Sequence, residues 1–342
     1  MDTPRKARTE RVSLPQRGFL SDITEAIGDI PLVRLRRMTV DRGVKATVLV
    51  KPEFLNPTGS IKDRMAVYVL RRAVASGELK PGGTIVEATS GNTGAAVAMF
   101  AAAYGYRAIL TIPDKMSREK VDTLRAFGAE VHVCPTAVPP DSPESYYETG
   151  KRLYRETPGS YWVGQYFNVN NIEAHYKITG PEIWEQTDGK IDCLVGGIGT
   201  GGTISGTARY LKEQNAEVEI VAVDPEGSVY YQYHVDQTLI EPHTYLVEGI
   251  GEDMLCPTID FSVIDRIYKV TDKEAFVAGR ELTRAEGIFG GGSSGAAVHA
   301  ALKHAKTLDE NKMVVVILPD SGMKYITKMF NDDWMREKGL LD

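Results

Sequence analysis

Residues 84–112 of the chain read TIVEATSGNTGAAVAMFAAAYGYRAILTI, a stretch in which the hydrophobic period changes from strand to helix and back. Residues 84–88 form an apolar strand, 92–104 a helix and 107–112 a second strand, so the segment is a βαβ unit with parallel strands. The most apolar run of the chain, 95–103, lies in that helix. It has about half of the ~20 residues a membrane span requires and reads as a helix buried on a sheet. Between strand and helix sits Thr89-Ser90-Gly91-Asn92-Thr93-Gly94. Hydroxyl, amide and backbone donors converge there on a dipole-positive helix start, which suits a carboxylate; an elaborate helix cap explains the same residues equally well.

The alternation continues outward. A helix at 62–76 precedes the unit, and a helix at 117–127, a strand at 130–134 and a helix at 142–154 follow it. Further on come a helix at 172–186, a strand at 191–195, a helix ending near 211 and a strand at 218–223. Helices at 273–286 and 294–307, a strand at 313–318 and a polar helix at 323–337 complete the chain. Repeated βα units make an α/β protein with two open, parallel-rich sheets covered by helices. Residues 224–262, rich in Pro, Tyr and acidic residues, are too long for a simple connection and mark a candidate functional loop.

Composition removes several function classes. With 342 residues, 42% hydrophobic and 25% charged, the chain has the make-up of a soluble globular enzyme large enough for two lobes. A net charge of -6 argues against a nucleic-acid surface, and no run is long enough for a membrane span. Cys134, Cys193 and Cys256 are odd in number, far apart and without a CxxC spacing, which points to a reducing cytoplasm rather than a disulfide framework or thiolate metal site. The six histidines lack ligand spacing, so no metal is expected. Residues 1–17, basic and polar with no apolar core segment, fit a solvated arm rather than a secretory signal.

Three further loops carry chemistry. Gly197-Ile198-Gly199-Thr200-Gly201-Gly202-Thr203 lies between a strand and a helix, where backbone N–H groups and a helix start favour phosphate. It also satisfies G-x-G-x-x-G, with Asp224 at the next strand end, so a nicotinamide-dinucleotide oxidoreductase stays in play. Gly290-Gly291-Gly292-Ser293-Ser294-Gly295 precedes an alanine-rich helix, and Pro319-Asp320-Ser321-Gly322 follows a buried strand, the end of the strand at which open α/β sheets bind ligands. Lys62, in Pro57-Thr58-Gly59-Ser60-Ile61-Lys62-Asp63-Arg64, is an ordinary solvated lysine when taken alone. In the company of two anion loops it becomes a candidate for carbonyl chemistry, which needs its free amine.

Taken together, Ser60-Ile61-Lys62-Asp63-Arg64, Thr89 to Gly94, Gly199-Thr200-Gly201-Gly202-Thr203 and Gly292-Ser293-Ser294-Gly295 resemble, in order and spacing, the pyridoxal-phosphate enzymes of fold type II. Within that group the chain is similar to the cystathionine β-synthase/cysteine synthase family, through Asp141-Ser142-Pro143-Glu144-Ser145, Gln165-Tyr166, Ala174-His175-Tyr176, Glu248-Gly249-Ile250-Gly251 and Trp334-Met335. The resemblance implies a large cofactor-binding domain from 34–55 and 167–342, a small mobile substrate-binding domain from 56–166 and an N-terminal arm at 1–33. It implies that Lys62 forms the Schiff base with pyridoxal phosphate, Gly199 to Thr203 hold the phosphate and Asn92 bonds the ring hydroxyl. Ser293 would face the ring nitrogen, where a neutral hydroxyl moderates the electron sink and suits β-replacement.

By the same resemblance, Thr89, Ser90, Thr93, Gln165 and Tyr166 would bind the first substrate, and Glu248 the ammonium of homocysteine. The implied reaction condenses serine with homocysteine to cystathionine through an aminoacrylate intermediate. O-acetylserine or O-phosphoserine with sulfide is the cysteine synthase alternative. A cytoplasmic homodimer is implied, and the lack of Cys or His before His132 leads to the expectation of no haem. Two positions depart from the family pattern: Thr58 stands where glycine is usual, and Glu252 where the residue is often aromatic.

Overall fold

The computed structural model describes residues 19–139 and 141–341, so the basic segment 1–17 lies outside the described residues. Ten strands form two sheets. The larger contains β1 (Val33–Arg34), β2 (Thr47–Pro52), β7 (Cys193–Gly197), β8 (Glu219–Pro225), β9 (Arg266–Val270) and β10 (Met313–Leu318) in the order β1-β2-β10-β7-β8-β9. All its pairings are parallel except that of the edge strand β1. The smaller, wholly parallel, contains β3 (Thr84–Ala88), β4 (Arg107–Pro113), β5 (Glu130–Cys134) and β6 (Tyr161–Trp162) in the order β5-β4-β3-β6.

Parallel strands covered on both faces must be apolar throughout. In β10, Val314 to Leu318 are all buried, as are Val48 and Val50 of β2 on one side and Leu194 and Val195 of β7 on the other. Each fully buried aliphatic side chain contributes about 1.5–3 kcal/mol, which makes β10 the axis of the large sheet. The Asn92–Tyr104 helix is buried along residues 92–101, as its alanine run requires. Gly94 brings that helix against its own loop, because a Cβ there would lie 2.6 Å from Thr89 Cγ2.

Several boundaries differ from the sequence reading. The helix expected at 172–186 is interrupted by a π-helical turn, His175–Thr179. Pro181 has no N–H to return to the Lys177 carbonyl, and the turn absorbs the change of register. The helix expected at 142–154 starts at Tyr146, where Ser145 caps Glu148 N–H. The helix expected at 323–337 is two short pieces, Gly322–Tyr325 and Asp332–Glu337, since Tyr325 turns inward to Asp320. A strand anticipated at 191–195 lies two residues later, and β1, β2, β6 and β9 are additions. Within 224–262, residues 224–225 end β8, Tyr230–Asp236 is a helix and the 3-10 turn Phe261–Val263 begins; the remainder is irregular.

A buried ionic cluster joins the helix that begins at Lys62 to the large sheet. Arg64, 1% exposed, donates to both oxygens of Glu53 (2.7 and 2.9 Å) and both of Glu182 (2.7 and 2.9 Å). Lys51 of β2 donates to the same Glu182 and to Ile30 O at 2.6 Å. Glu182 also accepts from the N–H groups of Asp29 and Ile30, so residues 28–30 are tied to the body of the protein.

Removing one member of a buried ion cluster leaves the others uncompensated. Arg64→Met is expected to lower the free energy of unfolding by about 3–5 kcal/mol, measured by urea denaturation. Burial works to raise the pKa of Glu182, yet Arg64 and Lys51 hold it to about 2, below its ordinary 4.5. Its stabilising contribution is therefore complete above pH 4.5 and is lost as pH falls through about 2. Acid titration of wild type and Glu182→Gln should converge in that window.

Candidate active site

The C-terminal ends of β2, β3, β7 and β10 open on one cleft of about 440 Å³. The loop before Lys62 is hooked to the end of β10: Ile61 N–H donates to Pro319 O at 2.8 Å, and Ser60 bridges Asp320. Thr58, in the usual glycine position, donates through N–H (2.7 Å) and hydroxyl to the carboxylate of Asp63, bracing the same turn. Lys62 projects into the cleft. Burial pushes its pKa below the ordinary lysine value, against the opposing pull of Asp320 and Glu252, and this brings the free amine within reach.

The glycine-rich loop has its carbonyls occupied and its N–H groups free. Gly199 O accepts from the Tyr230 hydroxyl at 2.9 Å, and Thr200 O accepts from Thr258. Among the described residues, the N–H groups of Thr200, Gly201, Gly202 and Thr203 have no partner. A Cβ at Gly199 would lie 2.7 Å from Gly249 O, so glycine is required where this loop meets 248–252. Asn171 donates to the Thr200 hydroxyl at 2.9 Å, and His175 Nε2 lies 3.1 Å from the Thr203 hydroxyl. Burial, with the charges of Lys62 and Arg64, pushes His175 well below its ordinary pKa; it is neutral and orients Thr203. The sequence reading found no ligand spacing among the six histidines and met this one only within the Ala174-His175-Tyr176 motif; in the structure it opens the π-turn.

On the opposite wall, the Thr89 hydroxyl accepts from the N–H groups of Gly91 and Gly94 (2.9 and 3.0 Å), and Thr93 donates to Gln165 Oε1 at 2.6 Å. Thr89 and Thr93 are buried beneath the loop, whereas Ser90, Asn92, Gln165 and Tyr166 line the cleft. Glu87 fixes the Gln165 segment by accepting from Gly164 and Gln165 N–H. Asn92 donates to Asp320 at 2.8 Å and accepts from Lys324 at 2.6 Å, which sets the direction of its amide. Burial lowers Lys324 to about 8. Ser293 is 1% exposed, and its hydroxyl has no partner among the described residues although it lines the cleft. An orphaned buried hydroxyl calls for a ligand atom.

Glu248 also reaches the cleft, but Lys120 (2.7 Å) and Lys328 (2.6 Å) occupy its two oxygens. Burial acts to raise its pKa, and the lysines outweigh that effect and keep it below the ordinary value. Neither lysine stood out in the sequence.

Asp224, the acid a dinucleotide would need at the ribose, is fully buried and accepts from Tyr231 N–H at 2.9 Å. One group of metal-capable atoms exists among the described residues, Cys193, Glu219 and His304. It lies at the opposite ends of the strands from Lys62, and Glu219 there pairs with Arg266. No helix of the described residues is long and apolar enough to cross a membrane.

An inward-facing N–H cradle, a lysine of lowered pKa and an orphaned serine fit one phosphorylated aromatic aldehyde. The comparisons agree with that fit. The profile of the family "Pyridoxal-phosphate dependent enzyme" matches residues 23–320. Cystathionine beta-synthase of Oryctolagus cuniculus is 48% identical over 325 residues, 95% of this chain and 59% of that protein; the chain therefore spans about three fifths of that relative. The O-acetylserine dependent cystathionine beta-synthase of Bacillus subtilis is 42% identical over 90% of this chain and 97% of its own length. Among solved structures, the O-acetylserine dependent cystathionine beta-synthase of Helicobacter pylori superposes with TM-score 0.83 at 34% identity, covering 91% of this chain and 98% of that one. A hydrogen sulfide-producing enzyme of Fusobacterium nucleatum gives TM-score 0.83 at 33% identity, covering 90% and 100%. These matches overturn the dinucleotide alternative, and the chain belongs to the pyridoxal-phosphate-dependent enzymes of fold type II, in the cystathionine β-synthase/cysteine synthase family.

Proposed function

We propose that the protein catalyses β-replacement on an amino acid, joining serine to homocysteine to give cystathionine. The observation that carries the reading is the convergence of Lys62, the free N–H groups of Thr200 to Thr203 and the unpartnered Ser293 hydroxyl on one cleft. The backbone of 200–203 and the Thr200 and Thr203 hydroxyls would hold the phosphate, with Asn92 at the ring hydroxyl and Ser293 at the ring nitrogen. Bound there, pyridoxal phosphate supplies an electron-withdrawing ring that makes the substrate's Cα–H acidic and lets its β-substituent depart. A neutral serine, unlike a carboxylate, does not favour a protonated ring nitrogen, so the withdrawal stays moderate.

Lys62 Nζ takes the Cα proton, assists departure of the β-oxygen as an ammonium, and later returns a proton to Cα. Its lowered pKa lets one group serve as both base and acid near neutrality. Ser90, Gln165 and the N–H groups of 90, 92 and 93, which have no partner among the described residues, would receive the substrate carboxylate. Thr89 and Thr93 act from beneath, holding that loop and Gln165 in place. Movement of the small sheet toward the large one would close the cleft and exclude water.

A second reading, O-acetylserine as first substrate with sulfide or another nucleophile, is favoured by one comparison. The O-acetylserine dependent relatives from Bacillus and Helicobacter match this chain over nearly their whole length, 97% and 98%.

Purified protein should be yellow, and borohydride should fix the cofactor to Lys62 Nζ, as read by peptide mass. A colourless protein that gains no label with added pyridoxal phosphate overturns the reading. Lys62→Ala should cost about 10²–10⁴-fold in kcat/KM, the usual weight of a positioned acid–base group. Steady-state assays crossing serine and O-acetylserine with homocysteine and sulfide decide between the two substrate pairs; turnover of O-acetylserine with sulfide alone removes the cystathionine assignment.

A further inference from the structure

Four residues beyond the fully paired Glu248 stands Glu252, a second acid of the same loop, which has no ion pair within 4 Å among the described residues. Its backbone is rigidly placed. Gly251 N–H donates to Ile198 O at 2.6 Å, Glu252 N–H to the Ser228 hydroxyl at 3.1 Å, and Val229 N–H to Glu252 O at 3.2 Å. This segment packs on the phosphate-binding turn and carries the Glu252 side chain into the cleft that Lys62, Tyr146, Tyr147 and Tyr245 also line. The Tyr147 ring lines the cleft beside the carboxyl.

The charges facing Glu252 come from three elements: Asp253 beside it, Lys115 from the segment after β4, and Lys62 on the floor. Burial and Asp253 outweigh the two lysines and push its carboxyl up to about 8. A buried acid in this condition gains most from a ligand that brings its own cation. Glu248 cannot gain in this way, because Lys120 and Lys328 already balance it.

We propose that Glu252 is the binding residue for the ammonium group of the second substrate, so that the cleft selects a thiol carried on an α-amino acid over bare sulfide. The inference rests on the β-replacement reading and adds the chemical class of the nucleophile. An ammonium entering the tyrosine-lined arm exchanges water for a charge-assisted bond to Glu252. A thiol lacking the amine makes no such bond.

The test uses the cofactor-loaded enzyme with its first substrate saturating and three nucleophiles: homocysteine, 4-mercaptobutyrate, which is homocysteine without its amine, and sulfide. Glu252→Gln keeps the shape of the side chain and removes its ability to ionise against an arriving ammonium. The expected result is a rise of at least tenfold in KM for homocysteine, with KM for the other two within twofold of wild type and kcat retained. Glu252→Asp should recover most of the affinity for homocysteine. Equal losses with all three nucleophiles would mean that Glu252 handles the thiol proton or shapes the cleft, and would overturn the assignment, as would an unchanged KM for homocysteine. A wild-type enzyme that uses homocysteine while Glu252→Gln matches it defeats only the role of Glu252. Wild type with no β-replacement on any pair defeats the functional reading beneath it.

Discussion

The buried cluster of Arg64 with Glu53, Glu182 and Lys51 sets the position of everything that follows it. Ion groups out of water are tolerated only when each is paired and hydrogen-bonded. Here Arg64 meets four carboxylate oxygens, and Glu182 is shared by Arg64, Lys51 and two backbone N–H groups. The geometry admits little displacement, because any shift of the Lys62–Ser76 helix would strip a buried charge of its partner. Lys62 lies half a turn upstream of Arg64, and its loop is hooked separately to Pro319 and Asp320 at the end of β10. The reactive amine is thus held from both sides by the large sheet, although its helix packs on Asn92–Tyr104 of the small one.

Charge pairing then sorts the acids of the cleft by role. Asp63 is spent on Thr58, Asp320 on Asn92 and Tyr325, and Glu248 on two lysines. These groups build walls. Asp320 receives Asn92 and Tyr325 on one oxygen, while its other oxygen lies against Gly291 with no hydrogen-bond partner among the described residues. Lys62, Ser293 and Glu252 line the same cleft.

Much of this was legible in the sequence where local physics dictates the outcome. The 84–112 unit appears at its expected residues because an alanine-rich run can only be a helix packed between sheet and neighbour, and the glycine loop at 199–202 announces close backbone approach. The two-sheet architecture shares that legibility, whereas the grouping of Lys62, the glycine loop and Ser293 was implied by the family resemblance. What stayed hidden depends on distant partners. β1 and β6 are two residues each, too short for a period. Arg64 and Glu182 are 118 residues apart, and nothing local marks either as buried. Glu248 read as an open acid because Lys120 and Lys328, which neutralise it, come from other elements. His175 gave no ligand spacing because it binds through a threonine and not to a metal.

The same contrast explains where specificity can vary while the chemistry stays fixed. Lys62 and the 199–203 turn each sit between a large-sheet strand and a helix, and Ser293 sits in the first turn of the Gly292–Ala305 helix, whose preceding loop bridges Ser321 just past β10, so exchanging any one of them disturbs buried packing. The 242–253 loop lines the cleft with its backbone held by Ile198, Ser228 and Asp272, while Val247 and Ile250 anchor it in the large-sheet core. A substitution there changes the lining of the cleft while leaving the strands beneath it in place. Under the proposed role of Glu252, an acid at 252 in place of an aromatic ring changes the charge offered to the nucleophile at little cost to the fold.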